Sequence, residues 1–187
     1  MKKQIEKHSP QGLKDYFAIA VTTFGVGYLP LAPGTWGSMV GVLIYIVSGW
    51  VYSAGAIINT GADSAIAASY QAWALFAIGT LFVLFCLLGI WASGRSTALF
   101  GDLDPSHAVV DEVIGQLIVF MFIPFTFSWP LILAGFLLFR LFDIWKPYPI
   151  DSLQDLPAGI GICADDILAG VYGGVCLALI YAITLSV

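Results

Sequence analysis

The sequence predicts an all-α fold: a polytopic membrane helical bundle of about five spanning helices plus an N-terminal re-entrant or interfacial segment. Three observations carry this expectation. The 187 residues are 59% hydrophobic and 10% charged, with a mean hydropathy of +0.92. A soluble domain of this length carries about 25% charged residues, so this chain lacks the charge to cover a water-facing surface. No charged residue occurs from Tyr16 to Ala62, from Ser64 to Gly94, or from Ile167 onward. Apart from Asp63 and the basic N-terminus, every charge lies between Arg95 and Asp166. That placement says more than the net charge of -5.

Residues 1–15 read as a basic cytoplasmic tail, with Lys2, Lys3, Lys7 and Lys14. A signal peptide would need a small-residue cleavage site, which is missing at the expected place. Residues 16–187 then form a single membrane-embedded domain. Its first part, 16–33, is apolar but rich in Gly and ends in LPLAP, so it reads as a half-crossing packed inside protein. Residues 36–58 and 70–93 are long enough to span at about 20 residues per crossing, with NTGADS (59–64) as the polar turn between them. Residues 109–123 and 129–145 are shorter and joined through PFTFSW, where Pro124 and Pro130 mark the bend. Residues 165–187 form the last span.

The lysine-rich N-terminus favours the cytoplasm. If 16–33 does not cross, the loops 95–108 and 146–164 return to the cytoplasmic side, together with the PLAPGT turn. One face then collects every charged cluster. Cys86, Cys163 and Cys176 show neither CxxC nor Cys/His spacing and read as small core residues.

Four polar stretches stand out. In DPSHAVVDEVIGQL (104–117), Asp111 and Glu112 open an apolar helix. Acids suit a first helical turn and Ser106 is in place to cap. Two adjacent carboxylates at a membrane boundary nevertheless call for a cation or base, and oxygen clusters suit Mg²⁺. In FLLFRLFDIWKPYPI (136–150), Arg140, Asp143 and Lys146 are helical neighbours in steps of three. Snorkelling explains Arg140 and Lys146. It leaves Asp143 among Leu, Phe, Ile and Trp unexplained, and an ionisable residue there marks a functional site. In GIGICADDILAGVYGG (159–174), Asp165 and Asp166 begin an apolar helix, with Gly170, Gly173 and Gly174 keeping one face thin. GVGYLPLAPGTWGS (25–38) has no ionisable side chain, but Gly34, Thr35, Ser38 and a following helix start suit an anion.

Carboxylates for Mg²⁺, bases for anionic oxygens and backbone donors for phosphate are the parts that phosphoryl chemistry requires. Histidine-based mechanisms lack material, since only His8 and His107 exist and His8 lies in the tail. DLDPS (102–106) mimics an aspartyl-phosphatase motif but has no soluble α/β domain around it. A small ion transporter would place its charges at mid-membrane depth in several helices, often within inverted repeats. Here they sit at helix ends and no repeat is visible.

PLAPGTWGS, VVDEVIGQ, RLFDIWKPYPI and GIGICADDILAGVY, in this order and spacing, resemble the phosphatidylglycerophosphatase A family over roughly residues 20–180. The resemblance implies a Mg²⁺-dependent hydrolase at the bacterial inner membrane. It would convert the lipid phosphatidylglycerophosphate to phosphatidylglycerol and phosphate, its active site facing the cytoplasm. A phosphatase of another lipid phosphate monoester is the alternative. By motif, the acids are Asp111, Glu112, Asp143, Asp165 and Asp166 and the bases Arg140 and Lys146, without a role fixed for each acid. Asp111, Glu112, Asp165 and Asp166 are then the expected metal ligands, and Asp143 either completes that site or acts in catalysis with Arg140 and Lys146. Gly34, Thr35 and Ser38, with Arg140 and Lys146, are the expected phosphate binders. Attack by water and attack by an aspartate through a phosphoenzyme both stay open. The bilayer and its lipid are the expected partners; nucleic acid and an obligate protein partner are not.

Overall fold

A computed structural model describes residues 7–58, 64–102 and 105–186. Among these residues the chain forms six α-helices and no strand: α1 (Leu13–Thr23), α2 (Pro33–Ile58), α3 (Ser64–Phe100), α4 (Val110–Phe120), α5 (Trp129–Trp145) and α6 (Ala158–Thr184). Short 3₁₀ turns at Val26–Tyr28 and Asp151–Asp155 lie in the connections before α2 and before α6. The expected turn at 59–64 falls, apart from Ser64, outside the described residues, as do Lys2, Lys3, Asp63 and Asp104.

Helices α2, α3 and α6 are long and apolar enough to cross a membrane. The 37 residues of α3 extend about 55 Å, against a hydrocarbon core of about 30 Å, so α3 tilts or projects beyond it. The 17-residue α5 reaches about 25 Å and the 11-residue α4 only about 16 Å. Expected spans 109–123 and 129–145 are therefore shorter than the three long helices.

Helices α2, α5 and α6 expose apolar faces. Met39, Leu43, Val47 and Trp50 line α2, Leu133, Leu137, Leu141 and Ile144 line α5, and Val175, Leu179 and Ile183 line α6. These steps of three and four trace one side of each helix, and apolar area on that scale belongs against hydrocarbon. Helix α4 is the opposite case. Val110, Val113, Ile114, Gln116 and Val119 are all buried, so α4 is the centre around which α2, α5 and α6 pack.

Glycine sets how closely α4 and α6 approach. A Cβ at Gly170 would lie 2.5 Å from the Gly115 carbonyl oxygen, and one at Gly115 would lie 2.6 Å from the Asp166 carbonyl oxygen. The two backbones touch, as small residues in membrane helices permit. This contact brings Asp166 beside the first turn of α4.

Several boundaries differ from the sequence expectation. Asp165 and Asp166 do not begin α6, which starts at Ala158. The glycines ahead of them are helical, and Gly159 packs against the Ile90 carbonyl and Gly94 of α3. The two acids therefore sit inside the helix and are buried. Residues 95–100, expected in a loop, continue α3 to Phe100. There Ser96 and Thr97 turn their hydroxyls onto the Ala92 and Gly94 carbonyls, which suits a helix without water. Helix α1 begins at Leu13, inside the expected tail. Asp15 accepts the Gln11 N–H at 2.6 Å and pairs with Arg95 of α3 at 2.6 Å. The Gln11 N–H, opposed by burial and assisted by Arg95, holds the Asp15 carboxyl below its usual value.

Candidate phosphate and metal site

The starts of α2 and α4, the end of α5 and the third turn of α6 converge at one end of the bundle. Asp111 and Glu112 occupy the first turn of α4; its N-cap is Val109 and no side chain caps it, so Ser106 does not serve that purpose. Asp166 comes from α6 across the glycine contact. One oxygen from each of Asp111, Glu112 and Asp166 lies within 4.8 Å of the others. Asp111 is 8% exposed and Asp166 3%.

The basic groups stand beside this trio. Arg140 Nη1 donates to Asp143 Oδ2 at 2.6 Å, and Lys146 Nζ lies 3.9 Å from Asp143 Oδ1. The three-residue steps of the sequence thus place Asp143 between its two bases. Lys146 caps α5 in a left-handed conformation, φ 46°. From there Nζ reaches Asp165 Oδ2 at 2.5 Å, and Gln154 Nε2 donates to the same oxygen at 3.1 Å. Burial pulls the Lys146 ammonium down, but the Asp165 hydrogen bond and the charges of Asp165, Asp166 and Asp143 outweigh it. Lys146 is held above its ordinary value. Asp165 therefore stands next to the trio, turned toward Lys146.

The APGT turn meets the same place. A Cβ on Gly34 would run into the Glu112 carboxylate and lie 3.0 Å from Arg140 Nη1. Gly34 is thus the point where α2 admits an acid and a base together. Thr35 follows, half-buried, its N–H directed at the Ala32 carbonyl. Ser38 is fully buried and donates to the Gly34 carbonyl at 2.9 Å, so its hydroxyl supports the turn from within. His107 packs against Tyr28 and Phe100, with Nδ1 3.0 Å from the Gly27 carbonyl.

The residues present fit a divalent cation. Five carboxylates, Asp111, Glu112, Asp143, Asp165 and Asp166, gather with two basic groups, Arg140 and Lys146. Like charges packed so closely repel unless a cation enters. Glu112 Oε2 and Asp165 Oδ1 are buried and have no hydrogen-bond partner among the described residues. An all-oxygen donor set of this kind suits hard cations such as Mg²⁺. Sequence reasoning missed Gln154, whose only signal was its position in the loop after Lys146, and it noted Gln116 without assigning it a role.

Fold and site together define an all-α membrane protein with an acid-rich, cation-compatible cluster flanked by phosphate-compatible bases. Residues 19–181 match the family model described as phosphatidylglycerophosphatase A. The chain is 38% identical over 150 residues to phosphatidylglycerophosphatase A of Haemophilus influenzae, covering 80% of this chain and 78% of that protein. Its Escherichia coli counterpart is 30% identical over 149 residues, 79% and 73% of the two chains. A Bacteroides thetaiotaomicron protein provisionally named a phosphatidylinositol-3-phosphatase is 35% identical over 159 residues, 84% and 89%. No solved structure matches. The chain belongs to the phosphatidylglycerophosphatase A family, whose named relatives are phosphatases of a phosphate monoester.

Proposed function

We propose that the protein hydrolyses phosphatidylglycerophosphate to phosphatidylglycerol and phosphate, with Mg²⁺, in bacterial phospholipid biosynthesis. The observation that carries this reading is the meeting of Gly34, Glu112 and Arg140 beside the Asp111–Glu112–Asp166 trio. Asp111, Glu112 and Asp166 would hold the cation, with Asp165 next to them. When bound, the cation supplies Lewis-acid polarisation of a phosphoryl oxygen and offsets its charge.

Arg140 and Lys146 bind the remaining phosphoryl oxygens as charge-assisted donors. Asp143 aligns both, and Asp165 with Gln154 sets the reach of Lys146. The start of α2 adds the Thr35 hydroxyl and the positive end of a helix, and Ser38 keeps Gly34 in place. Burial of the acid cluster lowers the effective dielectric around it, which strengthens each of these interactions.

Five spans, α2 to α6, suit this arrangement. Helix α5 carries exposed Trp129 and Trp145 at its two ends and an apolar stripe between them, the pattern of a short span anchored at both interfaces. α4 would complete its crossing through residues 121–128, and the 16–33 segment would enter from the side of the site without crossing. The basic residues of the tail, 1–15, favour the cytoplasm for that side, which supports a cytoplasm-facing site at the inner membrane and 16–187 as a single membrane-embedded phosphatase domain. Substrate would stay in the leaflet with its headgroup at the helix ends.

The name of the Bacteroides relative favours a second reading, another lipid phosphate monoester such as phosphatidylinositol 3-phosphate. Purified protein in detergent with Mg²⁺ should be given phosphatidylglycerophosphate, phosphatidic acid and phosphatidylinositol 3-phosphate in parallel. The proposal expects fastest phosphate release from the first. Faster release from either of the others would overturn the substrate while leaving a lipid phosphatase.

A further inference from the structure

Gln116 is a polar side chain that the bundle buries without pairing. It is 0% exposed on α4, and neither Oε1 nor Nε2 has a hydrogen-bond partner among the described residues. Buried side-chain amides are nearly always bonded, and a membrane interior gives them no water to turn to. An apolar side chain of the same size would fill this place without that penalty. The amide is left with its hydrogen-bonding capacity unused by the described residues.

Gln116 follows Glu112 by four residues on α4, so the two share a helix face. The Cα–Cβ bond of a helical residue tilts toward the N-terminus, which carries the Gln116 amide back toward the level of Glu112. Gly41 of α2 closes the other side. A Cβ there would lie 2.8 Å from Gln116 Cβ and 3.0 Å from its Cγ. The stem is pinned between two helices, one turn deeper along α4 than Glu112.

We infer that the side-chain carbonyl oxygen of Gln116 is a neutral donor to the divalent cation of the Asp111–Glu112–Asp166 site, taken directly or through one water. The inference rests on the metal reading above and goes beyond it by adding a residue one turn deeper in α4. Amide carbonyls are ordinary ligands of hard cations. A neutral oxygen adds ligation to three carboxylates without adding to their repulsion.

The test uses the full chain in detergent and Mn²⁺ as the probe, read by the electron paramagnetic resonance of free Mn²⁺ and by thermal unfolding in EDTA. In Gln116→Met, Mn²⁺ affinity should fall about tenfold, the usual scale for a supporting donor. Its metal-free unfolding temperature should match or exceed that of the wild type, because an unpaired amide has been removed. Unchanged Mn²⁺ affinity overturns the inference, whatever the unfolding temperature. Gln116→Glu covers a Met variant that fails to fold. An additional buried carboxylate should lower the metal-free unfolding temperature and enlarge the rise produced by Mn²⁺; a rise no larger than in the wild type contradicts it. Wild-type protein that binds no Mn²⁺ removes the metal reading, and this inference with it. Normal wild-type binding with an unaffected Met variant removes this inference alone.

Discussion

Lys146 Nζ lies 2.5 Å from Asp165 Oδ2, and this pair joins the end of α5 to α6. Asp165 also accepts Gln154 at 3.1 Å. The carboxylate thus holds a cation from its own chain while its neighbour Asp166 turns to the acid trio. Consecutive residues on one helix serve the two sides of the site, because they point about 100° apart.

Lys146→Met should reduce phosphate release by about 10²-fold or more, the scale for losing one charged donor to a developing phosphoryl charge. The pair also has a pH signature. The folded-state Lys146 value is raised, so its contribution is complete below the ordinary lysine value of 10.5 and is lost as pH climbs through the raised one. The difference in unfolding temperature between wild type and Lys146→Met should hold steady from about pH 7 to about pH 9.5 and shrink at higher pH. A difference that already shrinks in the lower range would show that Lys146 is not held in this way.

Asp143→Asn removes the charge that aligns Arg140 and faces Lys146. Turnover should drop below about 1% of wild type, while the protein still inserts and extracts from membranes normally. Near-normal Mg²⁺-dependent release by this variant would take Asp143 out of the mechanism.

Two glycine substitutions separate chemistry from packing. At Gly34 a methyl meets the flexible tips of Glu112 and Arg140, so Gly34→Ala should fold with a near-normal unfolding temperature and lose most activity. At Gly170 a methyl meets the Gly115 backbone of α4, which cannot swing aside. Gly170→Ala should cost about 1–3 kcal/mol of stability, seen as a lower unfolding temperature. The opposite pattern would mean that Gly34 packs the bundle rather than shaping the site.

The sequence made some of this plain and hid the rest for physical reasons. Arg140, Asp143 and Lys146 were legible because an i, i+3 spacing fixes neighbours on any helix, and α5 follows the expected limits of 129–145. The acid pairs were legible as charges in apolar surroundings. Their division was not, since which of Asp165 and Asp166 faces α4 depends on the Gly115–Gly170 contact between helices. The start of α6 was misplaced because glycines ahead of Asp165 look like a loop, whereas close packing on α3 makes them helical. The site roles given to Gly34 and Ser38 are alike in sequence but differ in structure. Gly34 touches the charged groups, and Ser38 bonds back to Gly34.

The most direct test of the central claim is phosphate release from phosphatidylglycerophosphate by the purified protein in detergent, in Mg²⁺, after EDTA, and after Mg²⁺ is restored. Glu112→Gln is assayed alongside. The acid trio predicts release in Mg²⁺, loss in EDTA, recovery on restoring the metal, and little release by the variant under any of the three conditions. Undiminished release in EDTA, or by Glu112→Gln, would contradict a cation held by these carboxylates.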